Sequence, residues 1–311
     1  MNLKGRDFLT LKQFTAEELR YLLDFAHEVK RRTKAGESFT PMRGKVMAMI
    51  FQKPSLRTRV SFEVGMFQMG GTALYLAPSD IGLGSREPVR DVAKVLSRQV
   101  DVIMARVFGH EIVEALAEYA SVPVINGLSD YVHPCQALAD FQTIEERGKT
   151  LSRLKLAFIG DGNNVARSLV FGGVRLGVQV WVASPPGYQL EPAVQFWAEE
   201  EGKRSGGSLT LTDSVEEAAK NADVLYTDVW ASMGQEKEVQ ARREAFRGYQ
   251  INREILNLAK PDAVVLHCLP AHYGEEITED VADSPQSAIY DEAENRLHAQ
   301  KALVALLAGE L

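Results

Sequence analysis

The chain has 311 residues, enough for two domains that each bury a core of their own. Its 45% hydrophobic and 25% charged residues are the make-up of a globular enzyme and exclude a disordered or fibrous chain, while a net charge of -7 without a polybasic run excludes a general nucleic-acid role. Cys135 and Cys268 lie far apart and form no CxxC pair, so neither a disulfide framework nor a structural zinc site is expected. The N-terminus carries no apolar signal core, and no apolar run approaches the ~18–20 residues that span a bilayer. A cytoplasmic, reducing location is the expectation.

Taken in order, Thr15-Ala16-Glu17-Glu18 is a capping box that opens a helix to about Lys34, closed near Gly36. Val46 to Phe51 reads as a buried strand. A helical pattern follows, with Val60, Val64 and Phe67 on one face at offsets of four and three, ended by Gly70-Gly71. Thr72 to Ala77 is a second strand and Pro78 to Glu87 a loop. Pro88 to Gln99 is helical, with Pro88 suited to the first turn. Asp101 to Arg106 is a third strand, Glu111 to Ala120 a helix and Val122 to Asn126 a fourth strand. His133-Pro134-Cys135-Gln136 opens a helix to about Arg147, and Gly148-Lys149-Thr150 marks a domain boundary.

A second series starts with strand Lys155 to Ile159, helix Val165 to Leu176 and strand Gln179 to Ala183. Helix Glu191 to Glu201 and strand Ser208 to Leu211 come next, then a short helix capped by Ser214 with Glu217. Strand Asp223 to Thr227 leads to the loop Asp228 to Gly234 and to helical segments up to Ala259. The last strand is Ala263 to His267, and from Asp291 the pattern is helical again. Strands alternating with helices predict an α/β fold with mostly parallel, doubly wound sheets.

Ligands in such sheets bind beyond the carboxyl ends of strands. The unusual polar residues fall at such ends. Ser55-Leu56-Arg57-Thr58 lies where the first strand gives way to a helix N-terminus, which offers unpaired N–H groups and a positive dipole end to an anion. Ser55 also suits a plain helix cap, and Arg57 a surface charge. Arg106 ends a buried strand and is aimed at a ligand or an ion pair. His133, held extended by Pro134, is a candidate donor to a developing oxyanion, with Gln136 one turn later. Drawn from both halves of the chain, these groups predict a cleft between two domains with an anion site on the first.

Gly160-Asp161-Gly162-Asn163-Asn164-Val165 is a poor dinucleotide fingerprint. Val165 holds the third glycine position, and the next strand ends at Ala183-Ser184-Pro185 without an acidic residue for a ribose. Asn163 and Asn164 instead offer amides to a polar small molecule. Asp228 suits either a cap for the turn after it or, as an exposed carboxylate, an anchor for a substrate amine. Cys268 has no evident base beside it, although His267 and His272 are near in sequence. Its carbonyl and that of Leu269 suit acceptance of amine protons. The six histidines are scattered and offer no metal-ligand cluster.

Ser55-Leu56-Arg57-Thr58-Arg59, His133-Pro134-Cys135-Gln136 and His267-Cys268-Leu269-Pro270 together resemble the signatures of the aspartate/ornithine carbamoyltransferase family. Asp228-Val229-Trp230-Ala231-Ser232-Met233-Gly234 is similar to that family's ornithine-reading loop, and Asp291-Glu292-Ala293-Glu294-Asn295-Arg296 resembles its C-terminal motif. The resemblance runs in register over essentially the whole chain. It implies transfer of the carbamoyl group of carbamoyl phosphate to the δ-amine of L-ornithine, giving L-citrulline and phosphate, with no cofactor or metal.

By the resemblance, Ser55, Leu56, Arg57 and Thr58 hold the phosphate. Arg106, His133, Gln136 and Arg296 contact the carbamoyl end. Asn164, Asp228, Ser232 and Met233 hold ornithine, and Cys268 and Leu269 bracket the reacting amine. Arg57, Arg106, His133, Asp228 and Cys268 are the implied catalytic set. The family fold implies two doubly wound domains, 1–148 for carbamoyl phosphate and 149–290 for ornithine, with a C-terminal helix (291–311) returning to the first. It also implies trimers or multiples of trimers. Leu56 stands where many relatives have Thr, and Gly82 where many place a His or Gln that reaches a neighbouring subunit's phosphate.

The nearest competing reading is a sister carbamoyltransferase acting on aspartate, putrescine or an N-acylated ornithine. An NAD-dependent oxidoreductase and a non-catalytic phosphate sensor are the readings from other classes.

Overall fold

The computed structural model describes residues 1–84, 86–231 and 238–311. The chain divides into two compact units, Met1–Ala139 with Glu294–Leu311, and Asp140–Ala293. Within the first, α1 (Ala16–Lys34) starts at the expected capping box: Thr15 Oγ1 accepts from Glu18 N, and Glu18 accepts from Thr15 N. Then follow β1 (Val46–Phe51), α2 (Leu56–Gln68), β2 (Thr72–Leu76), α3 (Pro78–Ile81), α4 (Val89–Leu96), β3 (Val102–Arg106), α5 (His110–Tyr119), β4 (Val124–Leu128) and α6 (Pro134–Glu146). The last of these helices carries the chain into the second unit. The sheet order is β2-β1-β3-β4, all parallel. β1 and β3 are buried almost throughout, which is why Val46–Phe51 and 102–105 read as unbroken apolar runs.

Three expectations shift here. The segment Pro78 to Glu87 holds the short helix α3, closed by Gly82 in the left-handed region at φ 58°. β4 begins two residues later than read. Pro123 has no N–H to donate, and only its carbonyl, accepting from Ile103 N, meets β3. The third concerns α2. The apolar face that marked this helix points outward: Val60 is 48% exposed, Val64 37% and Phe67 80%. The buried face is Thr58, Ser61, Phe62, Gly65 and Met66.

Polar residues can face inward there because α13 (Ile289–Ala308) meets them within the first unit. Arg296 Nη2 donates to Thr58 Oγ1 at 3.3 Å and Gln300 Nε2 to Ser61 Oγ at 2.7 Å. Gly65 lets the two helices close up, since a Cβ there would stand 3.1 Å from Lys301 Cγ. The C-terminal helix thus belongs to the first domain's fold from Glu294 onward.

The second unit holds β5 (Lys155–Ile159), α7 (Asn164–Arg175), β6 (Gln179–Ala183), α8 (Pro192–Ser205), β7 (Ser208–Thr212), α9 (Val215–Ala219), β8 (Val224–Thr227), α10 (Val239–Ala245), α11 (Arg253–Leu258), β9 (Val264–His267) and α12 (Glu279–Ala282). Its order is β7-β6-β5-β8-β9, again all parallel. The order reverses direction at β5, so β5 and β8 form the switch point of a doubly wound sheet, and their ends are where a ligand is expected. Ile159, Leu225, Val265, Trp230, Phe246 and Ile277 anchor the core beside it.

Candidate active site

In the first unit, β1 delivers the chain to the N-terminus of α2. Ser55 is the N-cap: its Oγ accepts from Thr58 N at 3.3 Å. It also donates to Thr58 Oγ1 at 3.1 Å, so two hydroxyls stand at the positive end of the helix. The structural and anion-binding readings of Ser55 are compatible, because the cap uses a lone pair and the O–H, which rests on Thr58 Oγ1, can turn to an anion. Leu56 is exposed and adds its backbone alone to this turn. Arg57 is half-buried.

Arg106, His133, Gln136 and Arg296 are all buried. Arg296 is held by three groups: Nε donates to Gln300 Oε1 at 2.9 Å, Nη1 to Gln136 Oε1 at 2.6 Å, and Nη2 to Thr58. Burial, followed by the charges of Arg296, Arg106 and Arg57, holds the His133 imidazole well below its usual range. His133 is therefore neutral at pH 7, a hydrogen-bond donor ringed by three guanidiniums. Such a concentration of positive charge around one neutral donor suits a phosphorylated, carbonyl-bearing anion. Cys135 takes no part: burial pushes its thiol up to about 12, and it donates to Asn126 O.

In the second unit, Asp228 follows β8 and Cys268 follows β9. Asp228 is buried, which corrects the expectation of an exposed carboxylate. One oxygen accepts from Val229 N at 2.8 Å and from Cys268 Sγ at 3.1 Å; the other accepts from Asn163 Nδ2 at 2.8 Å. Of the two roles weighed for Asp228, the structure shows the cap: it accepts from the backbone of its own turn, and it also meets Cys268. Burial and then Asp228 push the Cys268 thiol well above its usual range, so it is a proton donor at neutral pH and a poor nucleophile.

His267 is no base for it. Its ring Nδ1 accepts from Leu269 N at 2.9 Å and its Nε2 pairs with Glu276 Oε1 at 3.0 Å. Leu269 sits at φ 57°, in a region disfavoured for a residue with a Cβ, and a cis peptide joins it to Pro270. The positive φ at Leu269 turns the backbone sharply just after β9.

Asn163 is engaged twice over, correcting the expectation that it offers its amide to a ligand. Its Oδ1 caps α7 through Val165 N and Ala166 N, while Nδ2 grips Asp228. Asn164 is the first residue of α7 and stays half-buried. Ser232 and Met233 lie outside the described residues. Gly162 has a packing reason: a Cβ there would lie 2.6 Å from Leu190 N and 2.7 Å from the Gln189 carbonyl carbon. At the end of β6, buried Ser184 donates to Gly160 O at 2.6 Å, where a dinucleotide site has an acid.

Among the described residues, two groups of three potential ligands come together, Asp228–His267–Cys268 and His272–Glu275–Glu276. Their members already have work. Both ring nitrogens of His267 are occupied, Glu275 pairs with Arg243, and Glu276 Oε1 takes His267 Nε2 and His272 N. Sequence reasoning assigned nothing to Tyr226, Asp140 or Glu292, which are buried close enough to Cys268 to act on its thiol electrostatically. The available signal was spacing: Asp140 lies one helical turn after Gln136, and Glu292 one turn before Arg296.

Comparison with known proteins agrees with this division of groups. Residues 6–146 match the model of the aspartate/ornithine carbamoyltransferase carbamoyl-P binding domain, and residues 152–307 that of the Asp/Orn binding domain. The chain is 56% identical over 309 residues to an ornithine carbamoyltransferase of Thermococcus kodakarensis, covering 99% of this chain and 98% of that one. It is 55% identical over 309 residues to an anabolic ornithine carbamoyltransferase of Pyrococcus furiosus, with the same coverage. A solved ornithine carbamoyltransferase structure from Pyrococcus furiosus superposes with a TM-score of 0.96 at 55% identity, covering 99% of this chain and 98% of that chain. One from Gloeobacter violaceus gives 0.88 at 45%, covering 99% and 100%. The chain belongs to the aspartate/ornithine carbamoyltransferase family.

Proposed function

We infer that this chain is a carbamoyltransferase that moves the carbamoyl group of carbamoyl phosphate to the δ-amine of L-ornithine, releasing L-citrulline and phosphate, in the biosynthetic direction of arginine metabolism. The observation that carries this is the neutral His133 amid Arg57, Arg106 and Arg296, beside the hydroxyl-bearing N-terminus of α2. The relatives' names, one of them anabolic, support the acceptor and the direction.

In this reading Ser55, the Leu56 backbone, Arg57 and Thr58 hold the phosphate. Arg106, His133, Gln136 and Arg296 hold the carbamoyl end. The neutral amine attacks the carbonyl carbon and a tetrahedral oxyanion forms. His133 and the guanidiniums, already in place, stabilise that charge; one such donor is worth about 2.7–4 kcal/mol of barrier. The C–O bond to phosphate then breaks, and the phosphate leaves against the α2 dipole. The second unit supplies the amine-side groups. Asp228 anchors the amino acid with Asn164, Ser232 and Met233, the Cys268 and Leu269 carbonyls accept hydrogen bonds from the amine N–H groups, and the proton that the attacking nitrogen loses leaves on the phosphate oxygen. Cys268 acts through its protonated thiol and carbonyl, not as a nucleophile.

The domains in this reading are 1–148 with 291–311 for carbamoyl phosphate and 149–290 for ornithine. We also propose assembly as homotrimers or multiples of trimers. The outward apolar residues Leu56, Val60, Val64 and Phe67, spaced along one side of α2, favour it. A cytoplasmic location is proposed as well: both cysteines are free, and no described helix is long and apolar enough to cross a membrane.

The test is a steady-state assay with carbamoyl phosphate and ornithine, aspartate, putrescine or N-acetylornithine at equal concentration. Citrulline is the expected main product, and any other main product removes the ornithine assignment.

A further inference from the structure

Glu292 on α13 is fully buried, and each of its oxygens takes a donor. Oε1 accepts from the Tyr226 hydroxyl at 3.1 Å, and Oε2 from His267 N at 2.9 Å. The first donor sits on β8, two residues before Asp228. The second closes β9, one residue before Cys268. Glu292 thus ties together the two strand ends that carry the amine-side groups of the second unit. Its neighbour Asp291 shows the ordinary fate of an acid on this helix, pairing at the surface with Arg147 at 2.6 Å.

Glu292 is also hydrogen-bonded to the side chain of Asp140 on α6, likewise fully buried. Ionised carboxylates only accept, so a hydrogen bond between two of them requires a proton. Out of water, one shared proton also removes the repulsion of two like charges. The Glu292 oxygens then keep their acceptor places for Tyr226 and His267. From His267 the constraint passes on, because its ring accepts from Leu269 N and its Nε2 rests on Glu276. Cys268 is clamped between a backbone N–H held by Glu292 and one held by the His267 ring.

We propose that Asp140 and Glu292 share one buried proton and act as positioning residues that set Asp228 and Cys268 for the amine. The proposal rests on the carbamoyl-transfer reading above. Neither carboxyl touches substrate in this scheme.

The shared proton makes the two acids unequal under isosteric substitution. In Asp140→Asn, the amide N–H donates to Glu292 what the proton donated, and both Glu292 oxygens still accept. In Glu292→Gln, one acceptor becomes an NH2 group, so either Tyr226 or His267 loses its partner. A role limited to filling space treats the two amides alike.

The experiment measures ornithine and carbamoyl phosphate kinetics for both variants, with carbamoyl phosphate binding read separately in the absence of ornithine. Asp140→Asn is expected to keep kcat/KM for ornithine within about threefold, and Glu292→Gln to lose at least about tenfold, with carbamoyl phosphate binding in both within about twofold of the parent. Alkylation of Cys268 by iodoacetamide, read by mass spectrometry, gives an ordering that needs no turnover. Glu292→Gln should label at least about threefold faster, and Asp140→Asn as the parent does.

Equal losses in the two variants, or a greater loss in Asp140→Asn, overturn the proposal. Should Glu292→Gln fail to fold, Asp140→Asn decides alone: a folded, active enzyme supports the shared proton, and loss of fold or activity refutes it. If the parent forms no citrulline while the labelling order holds, the reaction reading fails and the positioning role stands.

Discussion

Arg296 donates to Gln136 at 2.6 Å although 160 residues separate them in the chain. Gln136 thereby presents a neutral acceptor to a guanidinium that also steadies Thr58 and lends its charge to the surroundings of His133. A carboxylate at position 136 would hold Arg296 at least as well but would cancel its charge. Gln136→Glu is therefore expected to fold normally and to bind carbamoyl phosphate more weakly by about 2–3 kcal/mol, the repulsion of one charge about 5–8 Å away at an effective dielectric constant near 20. Titration calorimetry with carbamoyl phosphate alone checks this, and unchanged affinity removes Arg296 from the anion site.

The pH dependence separates the substrate's proton from the protein's. Free ornithine's δ-amine resembles a lysine amine, so its attacking form grows about tenfold per pH unit between pH 7 and 9. His133 titrates well below 6.5 and adds no inflection in that window. The expected outcome is kcat/KM for ornithine rising steadily with slope near one from neutral to mildly alkaline pH. A flat profile counts against attack by the free amine.

Gly162 should not tolerate even one methyl group. The atoms that a Cβ would meet at 2.6 and 2.7 Å belong to the backbone of Gln189 and Leu190, and Gly162 N donates to Tyr188 O at 2.7 Å. Gly162→Ala must move that backbone, at a cost of about 1–3 kcal/mol. Urea unfolding should show the midpoint falling, with ornithine kinetics disturbed more than carbamoyl phosphate binding because the strain falls beside Asn163.

Lys301 gives a stability signal of its own. It is buried on α13 with neutral partners, Thr33 Oγ1 at 2.8 Å and Gln68 Oε1 at 2.9 Å, and burial lowers its amine from 10.5 to about 8. Between pH 8 and 10.5 the unfolded chain holds this proton and the folded chain does not, so this residue makes stability rise with pH across that window. Below pH 8 both states are charged and the cost of burying the charge is fully present. Lys301→Met should flatten the rise, which is of the order of 2 kcal/mol. Denaturation curves at pH 7, 9 and 10 for both proteins decide it; identical slopes refute the assignment.

Much of the fold was legible because parallel strands buried on both sides leave unbroken apolar runs, as Val46–Phe51 does. The polar residues at their carboxyl ends were legible because nothing in a core explains an Arg106 or a His133 there. What could not be read was which side of α2 faces in. Its apolar face is a true stripe, yet Thr58 and Ser61 are the buried residues, satisfied by Arg296 and Gln300 far along the chain. Periodicity reveals that a helix has two faces, and only its partner decides which is inside. The same holds for Asp228, whose burial depends on Asn163 and Cys268, and for Glu292, whose partners come from α6, β8 and β9.

Thr58 and Ser61 also set an order in time. Their partners on α13 are 238 and 239 residues downstream. At about 5–20 residues per second, a ribosome needs roughly 12–48 s to make that stretch. All of the second unit is synthesised in the interval and is free to fold within it. Until Arg296 and Gln300 emerge, Thr58 and Ser61 have only their local partners on this turn, Ser55 Oγ and Thr58 O, and water. The proposed anion site, encoded near the start of the message, is therefore among the last parts of the molecule to be finished, and on that reading a nascent chain gains carbamoyl phosphate binding only once α13 has been made.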